Sequence, residues 1–367
     1  MADENRYIKI NGTALKSPLV LASMAGLTDA DYVLERKSNV GAAFIGGYNT
    51  DEASKKASEE IEKCGRKEFS ADFDEIEAEL NKLKNTDIIV GLNLRGSSPE
   101  SFLSAAQRFG KKIIYEIDAH CRQEPMKKAQ CGEYLLENPE KLYEIVKALS
   151  AKGYTVSVKT RAGVTNDKVL AKELWKAGAK IIHVDLMDAG YSKVRQIRNS
   201  CPLIIIANNG VTNPDKMMDY FSHGADLVSL ARGANAENLT GLNRFIRATA
   251  DSVGWYNAPK QLCRGGDLRS LAFCCMPVKQ CPLLPALDSI DMPREFYLKL
   301  KQKSAAGTPL AEGSHTCFGS LAFCCKTSTP CMFRDMTLSS IKLEKNEYMK
   351  LKHQLSEKIM EQIFKNA

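Results

Sequence analysis

Eight of the twelve cysteines, Cys263, Cys274, Cys275, Cys281, Cys317, Cys324, Cys325 and Cys331, crowd into one stretch near the C-terminus. Ser270-Leu271-Ala272-Phe273-Cys274-Cys275 returns as Ser320-Leu321-Ala322-Phe323-Cys324-Cys325. Each copy has one cysteine upstream and one more downstream, giving C-x10-CC-x5-C and C-x6-CC-x5-C. A duplicated unit with four thiols per copy supplies the donors of a closed Zn(Cys)4 site or a cubane iron–sulfur cluster. Adjacent cysteines in an extended chain point to opposite faces, and the C-x-x-C knuckle of a zinc ribbon is absent. Either a turn gathers each pair at one site, or one member of each pair serves the other copy's site. Two iron–sulfur clusters rank ahead of two zincs, and both ahead of redox disulfides.

A second set of reactive groups is spread over the first 235 residues, each following a short apolar run. Ser23 and Thr28 follow the first run, Asn93 and Arg95 the third, and Asp118, His120 and Cys121 the fourth. Lys159 and Arg161 follow the fifth, His183 and Asp185 the sixth, Asn208, Asn209 and Gly210 the seventh, and Arg232 and Gly233 the eighth. Cys121, flanked by His120 and Arg122, has the surroundings of a low-pKa or proton-donating thiol. Lys159 and Arg161 together offer cations for a developing anion. Gly210 and Gly233, with Arg232, suit backbone N–H binding of a phosphate.

The elements that must position these groups are eight expected strands: Leu19–Ala25, Ala42–Gly46, Ile88–Leu94, Ile113–Ile117, Val156–Thr160, Ile181–Val184, Leu203–Ala207 and Leu227–Leu230. Helical stripes separate them, as in Leu142, Ile145, Val146 and Leu149, and in Leu239, Leu242, Phe245 and Ile246. Asn213-Pro214 is a helix-start pair. Eight strands with helices between most of them predict an α/β fold, a (β/α)8 TIM barrel whose chemistry sits at the C-terminal strand ends, with Val, Ile, Leu and Ala filling the strand interiors. An open doubly wound sheet would need a G-x-G-x-x-G after the first strand, which is missing. The one long insertion, Thr50 to Thr86, reads as a solvated helical excursion. Residues 1–254 are assigned to the barrel. Residues 255–367 form a small cysteine-rich metal-binding domain, closed by a terminal amphipathic helix over Leu343–Phe364 with Leu351, Leu355, Ile359 and Ile363 as its stripe.

With 367 residues and 44% hydrophobic content the chain can bury a sizeable core, which excludes intrinsic disorder. No run approaches the roughly 18 apolar residues of a spanning helix, and Met-Ala-Asp-Glu-Asn-Arg-Tyr leads into no apolar segment. The expectation is a cytoplasmic protein without membrane contact. A formal net charge of +7 is compatible with a nucleic-acid face, or with offsetting metal-bound thiolates.

The barrel half resembles the tRNA-dihydrouridine synthase family over about residues 15–240. The family's opening P-M-A-G-V-T-D looks like Ser23-Met24-Ala25-Gly26-Leu27-Thr28-Asp29. Its catalytic loop N-x-G-C-P, with G-x-G and L-L downstream, looks like Asp118-Ala119-His120-Cys121-Arg122, then Gln130-Cys131-Gly132 and Leu135-Leu136. Its V-K-x-R-x-G is Val158-Lys159-Thr160-Arg161-Ala162-Gly163, its later histidine matches His183, and its A-N-G and G-R-G turns resemble Ala207-Asn208-Asn209-Gly210 and Ala231-Arg232-Gly233. The resemblance implies an FMN-dependent oxidoreductase that reduces uridine in tRNA. Ser23, Met24, Ala25, Asn93, Lys159 and His183 would surround the isoalloxazine, and Asn208, Gly210, Arg232 and Gly233 the phosphate end. Cys121 would be the general acid, Asp118 and Arg161 would face substrate, and a reduced nicotinamide or another electron donor, such as an electron-donor protein, would recharge the flavin. The sequence departs from the family where its loop asparagine, glycine and proline become Asp118, His120 and Arg122, and where its flavin-contacting glutamine is Asn93.

The cysteine-rich half resembles the ninth methanogenesis marker domain, known for two copies of an aromatic-C-C-x5-C motif. That resemblance implies an archaeal, methanogenic source. Two alternatives to tRNA reduction follow: a flavin and iron–sulfur redox or maturation protein linked to methanogenesis, or a zinc-type binding module on a degenerate barrel.

Overall fold

The computed structural model describes residues 7–326 and 329–365. The chain divides into two compact units, Met1–Tyr220 with Ala225–Asn243, and Phe221–Gly224 with Arg244–Ala367.

The first unit opens with a short antiparallel pair, β1 (Lys9–Ile10) and β2 (Thr13–Ala14). Eight parallel strands follow: β3 (Leu19–Leu21), β4 (Ala42–Asn49), β5 (Ile89–Arg95), β6 (Ile114–Asp118), β7 (Thr155–Arg161), β8 (Ile181–Asp185), β9 (Ile204–Asn208) and β10 (Leu227–Leu230). They form one closed barrel in sequential order, completed where Val228, Ser229 and Leu230 of β10 align with Leu19, Val20 and Leu21 of β3. The fold is the expected (β/α)8 TIM barrel. β3 ends at Leu21, four residues before its expected end, because Met24 and Thr28 turn the chain through backbone and hydroxyl hydrogen bonds. β4 runs on to Asn49, so it carries its polar end further toward the C-terminal face.

The helix over Pro139–Ala151 buries Leu142, Ile145, Val146 and Leu149, as the stripe required. Pro214 opens its helix, and the Asn213 side chain accepts from the Lys216 N–H at 2.9 Å. In the Leu239, Leu242, Phe245 and Ile246 stripe, Phe245 is instead exposed. The insertion supplies two capped helices, Glu52–Lys63 and Phe73–Leu83. It is not wholly solvated: Glu68, between the helices, has a side chain only 3% exposed. Gly26 marks how closely this segment lies on the loop after β3, since a Cβ there would stand 2.5 Å from the Lys67 Cβ.

The second unit is helical, with short turns at Leu268–Ala272 and Leu321–Phe323, one in each cysteine repeat, and helices at Arg294–Ala305 and Lys345–Phe364. The last helix buries Tyr348, Lys352, Leu355, Ser356 and Ile359, so Leu351 and Ile363 lie off the buried face. The face is rotated because Lys352 donates to the carbonyl oxygens of Ala272 and Ala322, both at 2.9 Å. Among the described residues no helix is long and apolar enough to cross a membrane.

Candidate functional site

The barrel bore is not filled by Val, Ile, Leu and Ala alone. Strand alternation turns Asn93, Glu116, Ser157, His183 and Ser229 toward one another, all at most 1% exposed. The Glu116 carboxylate accepts from Asn93 Nδ2 at 2.9 Å and Ser157 Oγ at 3.1 Å, and lies 2.8 Å from His183 Nδ1. Burial alone would raise Glu116, but His183, Lys159 and Asn93 hold it below the usual carboxylate range. Burial lowers His183, leaving a neutral ring whose Nε2 is 2.7 Å from Ser229 Oγ. With Nδ1–H donated to the carboxylate, Nε2 accepts from the serine hydroxyl. Both ring nitrogens are thus engaged, and His183 props the mouth from below.

Above this layer Lys159, 3% exposed, donates to Ser23 O at 3.0 Å and Ser23 Oγ at 2.9 Å. A lysine has three N–H donors, and the third meets no acceptor among the described residues. Asn208 Nδ2 donates to Ser229 Oγ at 2.7 Å. At the ends of the neighbouring strands β9 and β10, the backbone N–H groups of Gly210, Arg232 and Gly233 have no protein acceptor among the described residues. A buried, partly unsatisfied ammonium and a set of open backbone donors fit an anionic ring edge and a phosphate, the two ends of FMN. Met24 and Ala25 are half-buried at the same mouth.

Cys121 stands on a loop clamped from two sides. Asp118 Oδ1 accepts from the backbone N–H groups of His120 at 3.1 Å and Cys121 at 3.2 Å, and lies 2.7 Å from His120 Nδ1. Its Oδ2 lies 3.1 Å from Arg95 Nε, and Arg95 is also paired with Glu68. On the other side Arg161 donates to the His120 carbonyl at 3.0 Å and pairs with Glu133 at 3.1 Å. Gly132 closes the loop, where a Cβ would sit 2.3 Å from the Cys121 carbonyl oxygen. Burial pushes the Cys121 thiol up, and Asp118 and Glu68 add to this against Arg95. It is therefore a proton-bearing thiol. Asp118 falls well below the usual range, with His120, Arg95 and Lys159 overcoming its burial. Glu68 and Glu116 were outside the sequence reading. Glu116 was signalled by a lone acid inside Ile114-Tyr115-Glu116-Ile117, whereas nothing local marked Glu68.

In the second unit all eight cysteines are free, with Cys263 and Cys317 exposed and Cys274, Cys275, Cys281, Cys324, Cys325 and Cys331 half-buried. Cys275 and Cys325, one from each repeat, interact electrostatically with each other. That interaction raises Cys275 and draws Cys325 down to about 6. Among the described residues no group of three or more His, Cys, Asp or Glu is arranged to hold a metal ion. Tyr297-x3-Lys301 and Tyr348-x3-Lys352 extend the duplication into the two helices, and both lysines are fully buried. The echo is visible in the sequence as two matched Tyr-x3-Lys spacings.

Residues 67–239 match the family model described as dihydrouridine synthase (Dus). Uncharacterized protein MJ0115 of Methanocaldococcus jannaschii is 48% identical over 117 residues, 31% of this chain and 76% of that protein, and the chain belongs to one family with it. The tRNA-dihydrouridine synthase B of Vibrio parahaemolyticus is 24% identical over 245 residues, 62% of this chain and 70% of that protein. Among solved structures, DHODH from Eimeria tenella in complex with ferulenol superposes with a TM-score of 0.53 at 13% identity, over 70% of this chain and 88% of that one, a likeness of fold. Over the barrel the chain is thus similar to dihydrouridine synthases.

Proposed function

We propose that this flavin-dependent oxidoreductase reduces uridine in tRNA, with Cys121 as the general acid. The observation that carries the reading is the buried Cys121 thiol, held in its protonated form on a loop fixed by Asp118 and Arg161. FMN, when bound, supplies the hydride for C6 of the uracil ring. Lys159 holds the flavin's pyrimidine edge, where a cation favours the anionic reduced form. The open N–H groups of Gly210, Arg232 and Gly233 take its phosphate, with Asn208 beside them. Cys121 then delivers its proton to C5 from a site whose water is excluded by Glu68 and the insertion. A reduced nicotinamide or an electron-donor protein recharges the flavin, and the reaction belongs to the cytoplasm. The thiol-rich unit holds metal, with iron–sulfur favoured over zinc.

A second reading keeps the flavin and replaces tRNA by another substrate, in a redox or maturation step that uses the thiol unit. Asp118 favours it. This residue stands where the family has asparagine, its two oxygens are committed to Arg95, His120 and Cys121, and an ionised carboxylate donates no hydrogen bond to a uracil.

The test is purification under anaerobic conditions, identification of the released flavin, and assay of dihydrouridine in unmodified tRNA after flavin reduction. FMN with product formation supports the first reading. FMN reduced and stable in the presence of tRNA, with no product, leaves the second. FAD, or no flavin after reconstitution, refutes both.

A further inference from the structure

We propose that His120 is a catalytic residue, a hydrogen-bond donor to the substrate carbonyl oxygen that takes up negative charge during reduction, oriented for that task by Asp118. The inference rests on the reading that Cys121 protonates a uracil ring reduced at C6, and adds to it the group that meets the C4 carbonyl oxygen.

The starting point is a missing donor. Asp118 stands where the dihydrouridine synthase family has asparagine, and an ionised carboxylate has no N–H to offer a carbonyl. Both of its oxygens are also turned to protein. Oδ2 lies 3.1 Å from Arg95 Nε, and Oδ1 accepts from the His120 and Cys121 N–H groups at 3.1 and 3.2 Å. The same Oδ1 lies 2.7 Å from His120 Nδ1. The departure from the family at position 118 is therefore coupled to the departure at position 120, where the family has glycine: the acid that cannot donate holds a ring that can.

Geometry brings that ring to the mouth. Asp118 is in register with Lys159 across β6 and β7, and the next residue, Ala119, donates its N–H to the Lys159 carbonyl at 2.9 Å. His120 follows immediately, and its own carbonyl accepts from Arg161 at 3.0 Å. The Asp118 side chain is 1% exposed and that of His120 25%, so the pair runs from a buried carboxylate to a ring open on one side. Nδ1 is turned inward to the acid, whereas Nε2 has no protein partner among the described residues. The charge of His120 also acts on His183 in the bore, as a ring above the bore requires.

Hydride addition from reduced flavin to C6 of uracil shifts the C5=C6 electron pair toward the C4 carbonyl, and O4 becomes the oxygen of an enolate. Cys121 then gives its proton to C5: a C–H bond forms as the S–H bond breaks, and the thiolate recovers a proton from water after product leaves. Between the two transfers the negative charge rests on O4. A neutral His120 keeps its proton on Nδ1, toward Asp118, and its Nε2 can only accept. Protonated, with its charge paired to the Asp118 carboxylate, the ring presents Nε2–H to O4, a donor fixed where charge develops.

The full-length holoenzyme is assayed for dihydrouridine in unmodified tRNA, with the flavin content of each variant counted first. His120→Gly should keep its flavin and lower kcat by about 10²-fold or more, the scale of one donor lost from a developing oxyanion. KM should stay within about threefold, because the contact strengthens only as charge develops. Adding Asp118→Asn to His120→Gly rebuilds the family's Asn-x-Gly-Cys loop and supplies an amide donor, so the double variant should regain about tenfold or more over His120→Gly. A loop merely damaged by loss of the ring would be damaged further. Nitrogen-15 NMR of histidine-labelled protein, assigned against His120→Gly, should find a proton on His120 Nδ1, a preference that Asp118→Asn alone should abolish. A His120→Gly enzyme with kcat within about threefold of wild type overturns the role while the tRNA reading stands. So does a raised KM at unchanged kcat, or a double variant no faster than His120→Gly. A neutral His120 ring with its proton on Nε2 overturns the orientation by Asp118. A wild-type enzyme that forms no dihydrouridine overturns the inference together with the reading beneath it.

Discussion

Arg95 Nε lies 3.1 Å from Asp118 Oδ2, joining the ends of adjacent barrel strands, and both side chains are almost wholly buried. The same guanidinium is paired with Glu68 of the insertion. One cation thus ties three segments together: the end of β5, the loop that carries Cys121, and a stretch of chain inserted between β4 and β5. The arrangement has one positive and two negative members, and the excess negative charge helps keep the neighbouring thiol protonated.

Arg95→Met should therefore be severe. It leaves the Asp118 and Glu68 carboxylates buried without their partner, a change worth about 3–5 kcal/mol of stability. Chemical denaturation should show that loss, with Cys121 becoming more readily alkylated as its loop loosens. A variant within about 1 kcal/mol of wild type would mean that water replaces the guanidinium at little cost.

Cys121→Ala should leave stability and FMN content near those of wild type, because the thiol makes no contact with the residues assigned to the phosphate. Product formation should fall by about 10²-fold or more, the usual scale of a general acid. Flavin reduction by the electron donor should continue at its normal rate. Equal activity in the variant would remove the thiol from the mechanism.

His353 gives a pH dependence confined to the thiol-rich unit. Its ring stacks on Trp255 with centroids 4.7 Å apart, and burial, helped by Arg269, lowers it to about 4. Glu357, 3.7 Å away on the same helix, does not reverse this. An unfolded histidine takes up its proton below about pH 6.5. Between there and about 4 the unfolded chain binds more protons, so stability should fall as pH falls, by at most about 1.4 kcal/mol per pH unit. His353→Phe should flatten that slope in denaturant titrations at pH 7 and pH 5. An unchanged slope would assign the dependence to other groups.

The barrel was legible because its signal is periodic: apolar runs of β-rich residues separated by helical stripes fix the strand order, and each polar run-end then falls on one face. Lys159, Cys121 and the glycine turns could be found this way. Asp118 and Arg161 could also be located, but not their work, since their bonds to Arg95, His120 and Glu133 depend on which strands and loops become neighbours. Glu68 illustrates the limit most clearly. Its segment is rich in Glu and Lys and reads as solvated, yet closure of the barrel brings Arg95 beneath it. The terminal helix shows a related failure, because an apolar stripe was sought where the buried face includes Lys352, a residue whose place depends on carbonyls from both cysteine repeats.

Glu116 is the remaining test of the barrel's polar interior. Its carboxylate accepts from Asn93, Ser157 and His183, and those partners hold it ionised despite complete burial. A carboxylate depressed in the folded state contributes stability that is fully present above its unfolded pKa, about 4.3, and is lost as pH falls through the folded value. Glu116→Gln keeps the shape but replaces one acceptor oxygen by an NH2 donor. That donor must face Asn93, Ser157 or the His183 Nδ1–H, all of which donate to Glu116 now. The His183 ring can relieve the conflict by moving its proton to Nε2, but Ser229 Oγ must then accept where it donated. The expected cost is about 1–3 kcal/mol, the range for a buried group left without its partner. FMN affinity should weaken with it if Asn93 borders the flavin, as the family resemblance implies. The acid limb of the stability curve below about pH 4.3 should also be shallower than in wild type. These are measured by urea denaturation across pH and by flavin fluorescence on dilution. A Glu116→Gln protein with wild-type stability, FMN affinity and acid limb would show that the carboxylate is already protonated in the folded barrel, and that the bore is held by neutral hydrogen bonds alone.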